Sequence, residues 1–398
     1  MNIGRGMKAG WQTRCLGEVC EIIMGQSPDG DSYNVTGEGT PLINGPVEFS
    51  HGPFGRTIRS KFTTQPTKLC KENDLILCVR GSTTGRMNIA GFDACIGRGV
   101  AAIRAKQCQH WINYFIRSKR DDIHALGTGS TFPNVSGAIL DGLKVPVPPL
   151  PEQQRIVGIL DEAFDAIATA KANAEKNLQN ARALFESHLQ AVFTQRGDGW
   201  AEKPLASLCD PMRAITYGVI KLGGEVLDGV PCLRTSNVRW LRIDTEGIKR
   251  IAPSLSAEFA RTVLRGGEVL VNVRGTLGGV AVTTPEMVGW NISREVAVVP
   301  VEPSSVNPEF LTYWIGAGVS QDWLGGVKKG AAYVGINIED LRLLPVKVPE
   351  PAKQLDVVRH LNSLRNETLC LESNYRQKLE GLEALKKSLL RQAFNGEL

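Results

Sequence analysis

The sequence lacks the marks of a secreted, membrane-spanning or metal-dependent protein. Its 9 cysteines are odd in number and contain no Cys-x-x-Cys spacing, which predicts reduced and mostly buried thiols. Histidine is scarce at 5 of 398 residues, and His51, His110, His124, His188 and His360 fall at no metal-ligand spacing. No apolar run reaches the ~18 residues a spanning helix needs. The opening MNIGRGMKAG has no apolar stretch of the signal-peptide kind, so a cytoplasmic protein is expected. No G-x4-GK[ST] is present to hold a nucleotide phosphate. The Gly-rich turns GTLGG (275–279) and GTGS (127–130) lack a dinucleotide fingerprint. NPEF (307–310) departs by Glu309 from the N-P-P-[FY] motif that holds a flipped adenine, and no Ser-His-Asp arrangement can be argued. No catalytic residue, metal ligand or resident cofactor is therefore assigned. Charge is nearly balanced, 46 Lys+Arg against 41 Asp+Glu for a net +5, and on its own decides nothing about partners.

What the chain does contain is itself, twice. DLILCVRGSTTG (74–85) lies over EVLVNVRGTLGG (268–279), IGRGVAAI (96–103) over ISREVAVV (292–299), and WINYF (111–115) over FLTYW (310–314). Residues 152–195 then lie over 353–396 without a gap. The unit is a globular part of about 150 residues followed by a tail of about 45 residues.

The globular parts read as mixed α/β. LILCV (75–79) and VLVNV (269–273) are apolar runs bounded by charge and glycine, hence buried strands, and WINYFIRSK and EFLTYWIGA are short helices. Each part leaves through a proline-punctuated stretch, at 139–151 and 338–351. The tails differ in kind. Ile156, Leu160, Ala163, Ile167, Ala170, Ala174, Ala181 and Leu184 recur at helical spacing, with Val157, Phe164, Leu178, Phe185 and Val192 beside them. Val357, Leu361, Leu364, Leu371, Tyr375, Leu379, Leu382 and Leu385 repeat the stripe. The spacing predicts two helices of ~43 residues, each ~65 Å long at 1.5 Å per residue. The domains expected are residues 1–150, a long helix at 151–197, residues 198–350, and a second long helix at 351–398.

Connectivity predicts the direction of those helices. The termini of a domain usually lie close together, and residues 200–350 join the end of the first helix to the start of the second. The helices should therefore run antiparallel in a pseudo-two-fold arrangement, with residue 398 returning near Trp11. Charge divides unevenly among the segments. Residues 56–106 hold ten basic and three acidic side chains, and 234–274 hold eight and four. Such enrichment suits phosphate contact.

Four stretches carry a resemblance: W-x4-LGEVCEIIMGQSP (11–28), VRGSTTG (79–85), GSTFPNVSGAILDGLKVPVPPLPEQQRIVGIL (129–160) and SLLRQAFNGEL (388–398). On these the sequence resembles a type I restriction-modification specificity subunit over nearly its whole length. It departs where EPAKQLDVV replaces the usual PxxEQxxI at the second long helix. The resemblance implies two target-recognition domains reading the halves of a bipartite double-stranded DNA site. It also implies methyltransferase subunits, two of them, docked on the helices, and restriction/translocase subunits joining the complex. S-adenosylmethionine, ATP and Mg are then expected in the partners and no cofactor in this chain. A specificity subunit of a related phage-defence or methylation-only system is the first alternative, and a protein-binding adaptor that does not touch DNA is the second.

Divergence between the halves sorts the DNA-contact candidates. Arginines common to both, Arg80 with Arg274 and Arg98 with Arg294, should hold phosphates or the fold, and Arg80 has Asp74 as a possible internal partner. Arg86 lies in the same basic stretch. Base readers should lie where the halves fail to align. Those are Asn44, His51, Arg56, Arg59 and Lys61 in the first half, and Arg234, Asn237, Arg239, Arg242 and Lys249 in the second. A further divergent pair is 128–132 with 328–333, which includes Lys328 and Lys329. Val157, Phe164, Phe185, Val192 and Phe394 are the apolar candidates for partner subunits, with covering the chain's own domains as the alternative.

Overall fold

A computed structural model describes residues 8, 10–127, 134–194, 200–328 and 335–398. The chain divides into two compact units: residues 1–174 with 377–398, and residues 175–376. The long helices Leu150–Thr194 and Pro351–Asn395, of 45 residues each, contribute to both. Among the described residues no helix is long and apolar enough to cross a membrane.

The first unit is built on the buried strand Leu75–Cys78. It pairs antiparallel with Val100–Ala105 on one side and with Met87–Ile89 on the other, and Cys20–Met24 completes a four-stranded sheet. The strand is apolar throughout because both faces are covered. Leu75 and Leu77 enter a core with Trp111, Phe115 and the start of the first long helix, while Ile76 and Cys78 face Ile43 and Ile96 of a second, five-stranded sheet. The second unit repeats the plan. Val269–Asn272 pairs with Val296–Val299 and Val280–Val282, and Thr216–Tyr217 takes the outer position. Val269 and Val271 face the helices, and Leu270 faces Leu233 and Ile292.

The proline exits work by side chains repeated in both halves. Gln12–Cys15 pairs with Lys144–Val147, and Ala201–Pro204 pairs with Pro345–Val348, which brings the beginning and end of each globular part together. At the helix starts, Gln153 donates to the Pro148 carbonyl and Gln354 to the Pro349 carbonyl, both at 2.9 Å. The departure EPAKQLDVV thus keeps the one glutamine that ties the turn. Trp111 donates to the Pro146 carbonyl and Trp314 to that of Pro345, each at 3.0 Å, although the two indoles stand at different positions of the aligned helices.

Helix direction is read separately in each unit. In the first, Arg155 lies at the Leu398 carbonyl (2.8 Å) and Lys171 at Glu383 (2.8 Å). In the second, Arg182 pairs with Glu372 (3.0 Å) and His188 with His360 (2.7 Å). Rising numbers on one helix meet falling numbers on the other, so the packing is antiparallel in both. The C-terminus returns to Trp11, whose ring lies beside Gly396. The seam differs in detail from the expected one. Leu184 is exposed, as are Leu371 and Leu385, while Phe185, Leu189 and Phe193 turn inward. Their helix packs on its globular domain as well as on its partner helix, and that rotates and widens the buried face.

Candidate nucleic-acid interface

Sheet register gathers three of the predicted arginines in the first unit. Arg80 follows the central strand, Arg86 directly precedes Met87–Ile89, and Arg98 precedes Val100–Ala105. Cys78 N–H donates to the Arg86 carbonyl (2.8 Å) and Val79 N–H to that of Gly99 (2.9 Å), so all three stand at the same end of one sheet. Each is exposed. Arg120, at the start of Arg120–Leu126, packs over Gly85 at this end as well. It escaped the sequence reading because Asp121 and Asp122 follow it, and only the turn at Gly85 reveals its neighbours.

Asn44 sits against the turn that carries Arg98, half-buried, with its backbone N–H donating to Glu48 (3.1 Å). Other members of the 44–62 stretch do not join it. Arg56 bridges to Ile89 at the opposite end of the sheet, where Glu72 (3.0 Å) and Asn73 (2.8 Å) hold its guanidinium. Arg59 lies 4.7 Å over the Phe92 ring. His51 is exposed and Lys61 half-buried. The expected pairing of Arg80 with Asp74 is replaced. Arg80 donates to Asn134 (3.1 Å), while Asp74, at the far end of the strand, is taken by Arg104 at 2.8 Å. Four residues of extended chain separate Asp74 from the loop after Cys78, too far for that ion pair.

The second unit holds Arg274 and Arg294 at the equivalent sheet end. Val273 and Arg274 both donate to the Glu295 carbonyl, at 2.9 and 3.2 Å. Arg274 lies 5.7 Å over Tyr217, lining a cleft of about 250 Å³ with Asn337, Glu339 and Asp340, and Arg294 contacts Glu295 at 3.3 Å. Both are half-buried. The approach beneath them depends on glycine. A Cβ on Gly25 would run into the Gly97 carbonyl, and one on Gly218 into the Ile292 carbonyl, so both turns are closed to any larger residue.

The Arg86 position is Val280 in the second unit, and a short hairpin covers it there. Val238–Arg239 pairs with Arg242–Ile243, Trp240 bridges to Val280, and Leu241 N–H donates to the Val280 carbonyl (2.7 Å). Positive charge thus returns to the place from a different element. Among the remaining divergent residues, Asn237 is corrected from base reader to structural residue. It is 1% exposed, accepts from Arg234 N–H (3.1 Å) and donates to the carbonyls of Asp244 (3.1 Å) and Glu246 (3.4 Å), which uses both amide donors inside the fold. Arg234 is half-buried and donates to the Gly247 carbonyl (3.0 Å), and Lys249 to that of Gly223 (2.5 Å). Lys328 is exposed and lines a cleft with Leu277 and Gly279. Lys329 and residues 128–132 lie outside the described residues.

The apolar candidates on the helices are covered by the chain itself. Val157 and Phe164 are buried in the first unit and Phe185 in the second, Val192 packs against the second core, and Phe394 lies on Trp111 (4.7 Å) and Phe115 (5.6 Å). Val157, Phe164 and Phe185 are thereby buried, whereas Val192 and Phe394 keep part of their surface exposed.

Two related domains with arginines at one sheet end, each closed onto paired long helices, match known proteins. Residues 8–179 match the family described as type I restriction modification DNA specificity domain. The chain is 26% identical over 298 residues to the EcoBI type I restriction enzyme specificity subunit of Escherichia coli. That match takes in 69% of this chain and 63% of the relative, under two thirds of its length. The chain is thus similar to type I specificity subunits, and the family match itself takes in its first 179 residues. Its fold agrees with a chain solved for the structural basis of complex assembly and conformational transition of the type I R-M system, at TM-score 0.80 and 19% identity, covering 99% of this chain and 100% of that one. It agrees too with the HsdS subunit of Thermoanaerobacter tengcongensis, at TM-score 0.63 and 18% identity, covering 98% of both. The arginines common to both halves sit at the end of the common sheet, and of the divergent ones Arg239 and Arg242 sit on the hairpin Val238–Ile243.

Proposed function

We propose that this chain is the DNA sequence-specificity subunit of a type I restriction-modification complex. Each domain reads one half of an asymmetric bipartite target, and the long helices set the spacing and dock two methyltransferase subunits. The observation that carries this reading is the repeated sheet end. Arg80 and Arg98 in one unit match Arg274 and Arg294 in the other, while the elements beside them differ. A shared cationic frame suits the sequence-independent phosphates, and unlike neighbours suit unlike bases. The chain acts as a non-catalytic cytoplasmic subunit. S-adenosylmethionine, ATP and Mg belong to partner subunits that methylate adenine and, where a restriction/translocase subunit is present, cleave.

Mapping adenine methylation across the genome with and without the gene for this chain tests the proposal. Loss of one asymmetric bipartite mark is the expected result. An unaltered methylation map would overturn the reading.

A further inference from the structure

The hairpin of the second unit carries an arrangement that folding alone disfavours. Arg239 and Arg242 are direct cross-strand partners, and like charges placed opposite each other destabilise a strand pair. Among the described residues no carboxylate pairs with either. Alternation fixes where they point. Val238, 1% exposed, and its partner Ile243 pack into the core, so the two arginines stand exposed on the other face.

The tip between them is locked. Trp240 Nε1 donates to the Gly316 carbonyl (2.9 Å) and its ring meets Phe185 edge-on at 5.7 Å. Leu241 is buried, and its carbonyl accepts from Arg365 of the second long helix (2.5 Å). A rigid two-stranded ribbon that presents two guanidinium groups side by side is preorganised for a ligand offering fixed acceptors. Among the described residues the first unit has Arg86 at this place, with Arg120 beside it at Gly85, and no ribbon, so the element serves what distinguishes the halves.

We infer that Arg239 and Arg242 are specificity-determining residues that read guanine in the half-site bound by the second domain. This inference rests on the DNA-specificity reading above. A two-stranded ribbon fits the major groove, where the O6 and N7 acceptors of guanine match the fork of one guanidinium. The shared Arg274 and Arg294 supply the phosphate contacts on which the ribbon is registered.

Complexes assembled with R239A, R242A, R239K and R242K are compared with wild type by mapping their methylation motifs. A wild-type complex that leaves no bipartite mark sinks the DNA-specificity reading itself. Given a wild-type mark, each alanine variant relaxes a guanine position in one half only, with discrimination there falling about tenfold or more. The lysine variants relax the same position, because an ammonium keeps the charge but loses the fork. They also keep the test alive should an alanine variant fail to assemble. An unchanged motif at uniformly lower efficiency, or relaxation in the other half, overturns the assignment to guanine.

Discussion

At the scale of single residues, the buried carboxylates show how the two halves preserve one requirement by different means. Asp74 and Glu268 occupy aligned positions before the central strands, 2% exposed each. Asp74 accepts from Lys71 N–H (2.7 Å) and pairs with Arg104. Glu268 accepts from Arg265 N–H (2.7 Å) and from Thr283 (3.0 Å), and pairs with Arg213 at 2.9 Å. Burial pushes the Glu268 carboxyl up, but Arg213 and the N–H donors outweigh it and leave its pKa below the usual range. Removing the guanidinium strands a buried charge, so Arg213→Ala should destabilise the chain by about 3–5 kcal/mol in denaturant unfolding. A loss under 1 kcal/mol would mean that water already screens the pair. Glu152 gives a pH prediction. Its hydrogen bonds to Arg155 and then Lys8 hold its carboxyl at about 2. Because the folded pKa is depressed, the ion pair stabilises above the ordinary value of 4.5 and is lost as pH falls toward 2. A carboxyl-carbon NMR titration of Glu152 should therefore centre near 2, and a midpoint near 4.5 would show that the cluster does not form in solution.

At the scale of elements, the C-terminal turns of the second long helix belong to the first unit. Phe394 seats on Trp111 and Phe115, Ala393 and Leu390 are buried in the same core, and the Leu398 carbonyl accepts from Arg155. Deleting residues 388–398 should therefore loosen Gln109–Ser118 and the start of Leu150–Thr194 as followed by amide hydrogen exchange. Exchange in Pro308–Gly316, which packs in the other core, should not change. Faster exchange in both helices, or in neither, contradicts this division. The motif SLLRQAFNGEL owes its form to this duty. Its Phe394 packs on Trp111, 283 positions away in sequence (394 − 111), and sequence spacing alone cannot separate that role from offering a face to a partner.

At the scale of the whole molecule, the near-neutral charge is a sum over basic sheet ends and acidic surroundings. Arg80, Arg86 and Arg98 stand at one end of a sheet whose other end pairs Arg56 and Arg104 with Glu72 and Asp74 and adds Asp93. If the helices set the distance between half-sites, inserting one helical turn into both of them should lengthen the unread spacer of the methylated motif and leave the read bases alone. Each inserted turn adds about 5.4 Å of helix. An unchanged spacer in methylation mapping would count against the helices as a ruler.

The duplication, the buried central strands, the two long helices and their antiparallel direction were legible in the sequence. Each rests on periodicity, alignment of the halves or the closeness of domain ends, and these are properties of the chain itself. The arginines common to both halves were legible for the same reason. Tertiary structure alone decided what each divergent residue does. Asn237 and Arg239 are two positions apart, yet one is spent on a turn and the other stands exposed, because the strand begins only at Val238, after the turn that Asn237 ties. Arg56 and Arg80 share a basic stretch but reach opposite ends of one sheet. Composition counts charges along the chain, whereas contact with a ligand depends on which ones the fold brings to a common edge.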